Sequence, residues 1–177
     1  MKENISILIS EDKIQKRVSE IAEQISNDFT EESVTLICIL KGAVMFMVDL
    51  ARKINKNVEI DFMDVSSYGE RTESSGNIKI NKDLQNPIEG KNIIIVEDII
   101  DSGRTLNYLY RYLKDKKPAS LKICTLLDKP ERRVFDIKVD YTGFAIPDEF
   151  IVGYGLDYAE KYRNFPYIGV LRQEESK

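Results

Sequence analysis

The spacing of hydrophobic residues divides most of the chain into alternating helices and strands. Between residues 11 and 28, isoleucine and valine recur every three to four positions, which predicts an amphipathic helix capped by Ser10. Two shorter helices are predicted at 43–54 and 103–114. Apolar runs, continuous or alternating, predict strands, and these runs lie at 34–40, 58–65, 93–96 and 121–127. Strands that alternate with helices imply an α/β fold with a mainly parallel central sheet flanked by helices.

Two regions depart from this alternation. Residues 66–77 are polar and contain glycine, which is typical either of a mobile lid or of an ordinary surface loop. The segment 131–177 is aromatic and less regular, which predicts a flap or small subdomain over one edge of the sheet. We therefore predict one domain over 1–177, with a core at about 30–130 and a small hood formed by parts of 1–12 and of the C-terminal segment.

Composition limits the functions that this fold can perform. Acidic residues number 30 and basic residues 26, and the net charge of -4 argues against a general nucleic-acid binder. The chain has no histidine, so acid–base chemistry must come from carboxylates, Lys, Tyr, Cys or water. Cys38 and Cys124 lie in apolar runs, as expected for reduced core cysteines. The sequence shows no signal-peptide core and no membrane span, so we expect a cytoplasmic protein without membrane or nucleic-acid partners.

The strongest chemical signal is the segment 93–106, which reads IIIVEDIIDSGRTL. Glu97 and Asp98 follow its strand, and ligands of open α/β sheets bind beyond the carboxyl ends of the strands. The turn at 101–105 offers backbone N–H groups, two side-chain hydroxyls and the positive end of a helix dipole, all of which suit a phosphate. A carboxylate pair suits sugar hydroxyls, either directly or through a metal. The segment therefore predicts a ribose-phosphate site, and the structural alternative is an acidic strand end followed by a helix N-cap.

This segment closely resembles the phosphoribosyl-pyrophosphate signature of the type I phosphoribosyltransferases. Further motifs narrow the resemblance to the hypoxanthine–guanine branch, bacterial type, from about residue 36 to residue 170. Arg104 departs from the mammalian members, which carry Lys there, but both are cations beside a phosphate. The further motifs are LKG at 40–42, SY at 67–68, LLDK at 126–129 and PDEFIVGYGLDYAEKYR at 147–163.

The resemblance implies a role for each matched residue. In this family a non-proline cis peptide bond joins the first two residues of the 40–42 motif, whose backbone faces pyrophosphate. The resemblance implies that Asp101, at the turn, takes or gives the proton at purine N7; if a side chain fills that role it must be a carboxylate, because the chain has no imidazole. The resemblance implies that ribose is bound by Glu97 and Asp98, the phosphate by Asp101, Ser102, Gly103, Arg104 and Thr105, and pyrophosphate by Leu40, Lys41, Gly42 and Arg163. It implies that the purine is bound by Lys129, Phe150, Ile151 and Asp157, and a metal by Asp157, Glu97 and Asp98. Ser67 and Tyr68 would belong to the lid.

The activity implied by the resemblance is purine salvage. Hypoxanthine or guanine would react with phosphoribosyl pyrophosphate through an oxocarbenium-like transition state, with Mg²⁺ as cofactor, to give IMP or GMP and pyrophosphate. The resemblance also implies a homodimer or homotetramer. Two alternatives are open at this point: an RNA-binding attenuation regulator with the same fold, and a xanthine-preferring enzyme. Lys129 disfavours adenine, because a cation reads an oxo acceptor rather than an amino group.

Overall fold

The computed structural model describes residues 2–30, 33–67 and 78–174. Its three α-helices are α1 (Glu11–Asp28), α2 (Val44–Lys53) and α3 (Arg104–Lys114), and a 3-10 turn covers Pro130–Arg132. The strands of the described part are β1 (Lys2–Ile9), β2 (Ser33–Leu40), β3 (Asn57–Ser67), β4 (Ile78–Lys82), β5 (Asn92–Ile100), β6 (Ser120–Asp128), β7 (Tyr141–Ala145), β8 (Ile151–Val152) and β9 (Ile168–Glu174).

The central sheet has the strand order β4-β3-β2-β5-β6-β7 within the described residues. Its strands pair in parallel except for β4, which lies antiparallel to β3 at one edge. Helices α1 and α2 pack on one face in a single hydrophobic cluster, and α3 packs on the other face. The predicted α/β class with a mainly parallel sheet flanked by helices is confirmed.

The hydrophobic patterns account for these elements. Helix α1 spans the predicted residues, and its buried face is formed by the isoleucines and valine that recur every three to four positions. Ser10 occupies the N-cap position without a side-chain capping hydrogen bond. The β5 residues Ile93–Val96 are fully buried between the two helical layers, as expected for a central parallel strand. Cys38 and Cys124 are free and buried, as the sequence predicts.

A second, antiparallel sheet with the order β1-β9-β8 is built from the two terminal regions. Strand β1 pairs with β9 along its length, from Lys2 opposite Glu174 to Ile9 opposite Ile168. Strand β8 pairs with the other edge of β9 and leads directly into the 153–163 segment. This sheet corresponds to the small hood of the predicted fold, whereas the domain boundaries given above stay a prediction.

Strand ends differ from the sequence prediction at two places that concern the site. Strand β5 continues to Ile100, so Glu97 and Asp98 lie inside a strand rather than after it. Strand β3 includes Ser66 and Ser67, which the hydrophobic pattern places in a loop. The remainder of the predicted lid, including Tyr68, lies outside the described residues. None of the helices in the described part of the chain is long and apolar enough to cross a membrane.

Candidate active site

The carboxyl ends of the parallel strands bring four short segments to one edge of the central sheet. These are the β2 loop (residues 40–43), the signature turn (101–105), the base arch (129–135) and the aromatic loop (153–163). The signature turn and the strand ends beside it line a cleft of about 230 Å³. Because this is the edge where ligands of open α/β sheets bind, the predicted site residues are brought together where the topology requires them.

Glu97 and Asp98 form a pair of adjacent carboxyls at the floor of this edge. Glu97 is 9% exposed, and burial together with the neighbouring Asp98 charge raises its pKa well above the usual value. Burial also raises the pKa of Asp98, although hydrogen bonds from Glu97 and from the Ile99 N–H oppose this shift. Burial and the neighbouring Asp98 charge therefore both favour the protonated form of Glu97, and a cation bound beside the pair would offset the repulsion between the two carboxyls.

Two glycines allow the β2 loop and the aromatic loop to close on this pair. A Cβ at Gly42 would lie 1.6 Å from Asp98 Oδ2, so only glycine leaves room for the carboxylate. A Cβ at Gly155, whose φ is +102°, would lie 1.9 Å from the Gly42 carbonyl oxygen. The peptide bond between Leu40 and Lys41 is cis, as the family resemblance implies. Backbone contact therefore holds the two loops against the carboxyl pair.

Ion pairs form within the aromatic loop, and one exposed ion pair joins that loop to the β2 loop. Arg163 Nη2 lies 2.8 Å from Asp157 Oδ1, and Arg163 Nη1 donates to the Gly155 carbonyl oxygen at 2.7 Å. Glu160 takes Lys41 Nζ at 3.2 Å and Arg163 Nη2 at 3.5 Å. Glu160 therefore lies between the cations of the two loops, while the shorter ion pair of Arg163 is with Asp157. Arg163 Nε is buried and has no partner among the described residues.

The signature turn presents the N-terminus of α3 to the cleft. Gly103 precedes the helix with a left-handed φ of +80°, and the Ser102 hydroxyl accepts a hydrogen bond from the Arg104 N–H. The Asn107 N–H donates to Gly103 O at 2.9 Å, so the N–H groups of Thr105 and Leu106 lie in the first helical turn, where the helix itself offers them no acceptor. Together with the helix dipole, these groups can hold a phosphate dianion. The Thr105 side chain lines the same cleft.

The residues predicted to meet the base lie on the other side of the signature turn. Lys129 Nζ donates to Glu149 O at 2.8 Å and lies 3.1 Å from Asp148 Oδ1. Phe150 is 53% exposed, and its ring meets Tyr158 edge-on at 5.6 Å between centroids. An exposed ring that is held at one edge offers a free face for stacking. Ile151 is buried in β8, which leaves only its backbone for a contact to the purine, as the resemblance implies.

Sequence reasoning missed several polar residues that the structure places in or beside the site. Arg132 lies 2.7 Å from Asp101 and also pairs with Asp148, and Glu160 bridges the two loops. Tyr154 donates to Asp49 Oδ2 at 2.6 Å and so anchors the aromatic loop to α2. Arg132 lies outside every quoted motif. Tyr154 and Glu160 lie within the 147–163 motif, but their partners Asp49 and Lys41 are distant along the chain, so the motif alone does not predict these contacts.

The Glu97–Asp98 pair predicts a pH-dependent stability difference. The raised pKa of Glu97 means that the folded protein keeps a proton that the unfolded chain releases. This contribution to stability is present below the unfolded pKa and is lost as pH rises through the raised value. Glu97→Gln cannot ionise, so we expect it to gain on the order of 1 kcal/mol at neutral pH and little at acid pH. The measurement is Tm of both proteins from pH 5 to 8 in chelated buffer.

Glu89→Gln is the matched control, because Glu89 is an exposed carboxylate in the turn before β5. The control should follow the wild-type pH profile. Parallel profiles for Glu97→Gln and the wild type would contradict a raised pKa of Glu97 in the folded protein.

The fold and this site together define a class, the phosphoribosyltransferases, and the family model of the phosphoribosyl transferase domain matches residues 7–159. A hypoxanthine-guanine phosphoribosyltransferase of Bacillus subtilis is 54% identical over 173 residues, which cover 97% of this chain and 96% of the relative. The enzyme of that name from Streptococcus thermophilus is 52% identical over 168 residues, which cover 95% of this chain and 93% of the relative. A crystal structure of a hypoxanthine-guanine phosphoribosyltransferase from Bacillus anthracis, with a HEPES molecule in its active site, has a TM-score of 0.90 at 54% identity and covers 94% of this chain and 99% of that one. The chain belongs to the phosphoribosyltransferase family and, within it, to the hypoxanthine-guanine phosphoribosyltransferases.

Proposed function

We propose that the protein transfers the phosphoribosyl group of phosphoribosyl pyrophosphate to hypoxanthine or guanine. One observation carries the proposal: the Glu97–Asp98 carboxyl pair, of which Glu97 is buried, meets the α3 N-terminus and the β2 loop at one sheet edge, beside an exposed aromatic ring. The first three features suit a ribose with a phosphate at each end, and the ring suits a planar base. The named relatives are enzymes, which favours this activity over the RNA-binding alternative.

The residues of the chain divide the reaction between them. A purine ring nitrogen attacks C1′ of the ribose while the bond from C1′ to pyrophosphate breaks, and positive charge develops on the sugar. Glu97 and Asp98 face the sugar, and the signature turn holds its 5′-phosphate. The β2 loop and Arg163 hold the departing pyrophosphate. Asp101 exchanges the proton at N7, a role within the usual reach of a carboxylate general base.

Lys129 and Phe150 select the base in this proposal. The Lys129 ammonium is already directed by Asp148 and by the Glu149 carbonyl oxygen, so it is oriented before a 6-oxo group arrives. Phe150 stacks on the purine and Ile151 offers its backbone. Xanthine also has a 6-oxo group that Lys129 can contact, so the relative kcat/KM values for the three oxopurines distinguish the preferred substrate.

The acidic residues fit a magnesium ion that takes most of its ligands from substrate. Within the described residues, no three acidic or thiol side chains converge to hold a metal by themselves. Mg²⁺ is commonly held by one or two carboxylates together with substrate phosphates, and Asp98 and Asp157 could supply those carboxylates, as could Glu97. When bound, the ion would neutralise charge on the leaving pyrophosphate. In the present arrangement both Asp157 oxygens have partners, in Arg163 and in the Glu160 N–H.

The direct test is a nucleotide-formation assay with each of five bases: hypoxanthine, guanine, xanthine, adenine and uracil. With phosphoribosyl pyrophosphate and Mg²⁺, we expect product from hypoxanthine and guanine and little from adenine or uracil. Preference for xanthine would select the alternative enzyme, and no product from any base would overturn the proposal. Full turnover in excess chelator would contradict the metal requirement.

Lys129→Ala should separate base recognition from sugar binding. Losing a hydrogen bond from a charged donor costs about 1.5–3 kcal/mol, or roughly 10–100-fold in kcat/KM for hypoxanthine and guanine. The KM for phosphoribosyl pyrophosphate should change little, and discrimination against adenine should weaken. Steady-state kinetics with the three bases provides the measurement. Lys138→Ala removes a highly exposed lysine and is the control; an unchanged base preference in Lys129→Ala would contradict the assigned role.

Self-association and a cytoplasmic location are further parts of the proposal. Helix α2 exposes Met45 and Val48, each 42% exposed, beside a groove lined by Phe165 and Pro166 of the segment that follows the aromatic loop. An apolar surface of this kind suits a second copy of the chain. Light scattering of the purified protein would decide between monomer, dimer and tetramer. Two buried free cysteines are compatible with a reducing compartment.

A further inference from the structure

The base arch lies directly against the signature turn. The Lys129 N–H donates to Ile100 O at 2.9 Å, and the N–H groups of Val134 and Phe135 both donate to Ser102 O at 3.0 Å. The arch is therefore fixed to the turn by backbone contacts on both sides of the 3-10 turn Pro130–Arg132. A side chain of the 3-10 turn is therefore held close to the signature turn.

Arg132 is that side chain, and its two arms reach two different carboxylates. Arg132 Nε lies 2.7 Å from Asp101 Oδ1, and Arg132 Nη1 lies 3.2 Å from Asp148 Oδ1. Asp148 in turn pairs with Lys129 Nζ at 3.1 Å. A continuous chain of opposite charges thus runs from the residue placed to read the base to the residue placed to move its proton. The neighbouring Arg133 takes no part, because its guanidinium pairs with Asp128.

The Asp101 carboxylate depends on Arg132 for its environment. Its Oδ1 atom is buried and forms no hydrogen bond with the described residues. The ion pair with Arg132 therefore compensates the charge on this oxygen. The side chain as a whole is 42% exposed and lines the cleft. The remainder of the carboxylate is therefore available to a ligand. Without the guanidinium, the enclosed oxygen would be left uncompensated and the group would rotate to find water.

We propose that Arg132 is a positioning residue for Asp101: it fixes the Asp101 carboxylate towards the base and links it, through Asp148, to Lys129. The inference rests on the proposed function, because its readout is catalysis at Asp101. A surface ion pair contributes little to folding, so removing Arg132 should alter turnover far more than stability. A misplaced catalytic group can cost on the order of 10²-fold in rate, which sets the scale of the expected loss.

The experiment uses Arg132→Gln and Arg132→Lys in the full chain. We expect Arg132→Gln to lower kcat roughly 10–100-fold while both KM values stay within about 2-fold and Tm stays within about 3 °C. Arg132→Lys should recover part of kcat, because an ammonium can pair with Asp101 but has no second arm for Asp148. Arg111→Gln is the control, since Arg111 is an exposed arginine of α3 outside the cleft.

A double-mutant cycle with Asp101→Asn distinguishes positioning from a general structural role. If Arg132 acts through Asp101, Arg132→Gln costs almost nothing further once the carboxylate is gone. A loss of equal size in both backgrounds, an unchanged kcat, or a change confined to KM would overturn the proposal. An inactive wild-type protein would instead contradict the proposed function, so the two failures are distinct.

Discussion

Asp101→Asn is expected to lower kcat by about 10²–10⁴-fold, which is the usual size of general acid–base catalysis. Asparagine keeps the size of the side chain and can still accept a hydrogen bond from Arg132, but it cannot take a proton. The fold and the phosphate contact, which rest on the backbone of 101–105, should be preserved. The measurements are steady-state kinetics and the affinity for the nucleotide product by calorimetry.

Asp136→Asn serves as the control, because Asp136 is an exposed carboxylate just beyond the base arch. It should retain wild-type turnover. If Asp101→Asn also retained turnover, Asp101 would be only a turn residue, and the structural alternative given for the signature segment would be correct.

Gly155→Ala is expected to lower both stability and activity. The residue has a φ of +102°, and a Cβ would lie 1.9 Å from a backbone oxygen of Gly42, which cannot move aside as a side chain could. The strained φ costs about 1–3 kcal/mol and overpacking a similar amount. Tm should fall by roughly 2–4 °C for each kcal/mol, and kcat/KM should fall because the β2 loop is pushed off the carboxyl pair. Thermal melts and steady-state kinetics measure the two effects.

Gly90→Ala separates the cost of a positive φ from the cost of the steric clash. Gly90 also has a positive φ, of +72°, but a Cβ there meets nothing within 4 Å. This control should show the backbone penalty alone, with unchanged kinetics. Equal effects at both positions would mean that the contact between the two loops has no functional weight.

The periodic elements of the fold could be predicted from sequence, and their polar extensions could not. The repeat of α1 is long enough to define both ends of the helix. Strand β5 was predicted too short because Glu97 and Asp98 end the apolar run, whereas the strand continues as Asp98 packs over Gly42. Strands β1 and β4 both alternate isoleucine with polar residues, but the sequence analysis does not predict them. Strand β1 lies near the N-terminus and β4 follows a polar loop, and a short alternating run in such a place resembles a surface segment.

The candidate site divides in a similar way. Glu97, Asp98 and the signature turn could be placed together from local sequence, because one strand end and one helix start carry them. The ion pairs that link Asp101, Arg132, Asp148 and Lys129 could not be predicted. Arg132 is one of 26 basic residues, and no local sequence pattern indicates that Asp101 is its partner. Contacts between distant segments depend on how the base arch lies on the turn, and that is decided by tertiary packing.

The antiparallel pairing of Lys2 with Glu174 has a consequence for protein engineering. The two ends of the described chain lie side by side, so a short linker could join them, and new ends could be opened in the exposed turn at Gly90 without breaking any strand pair. In such a circular permutant β8, β9 and β1 become one contiguous stretch. The part of the molecule that carries Phe150, Ile151 and the aromatic loop could then be exchanged between relatives as a single segment, separately from β5 and the signature turn.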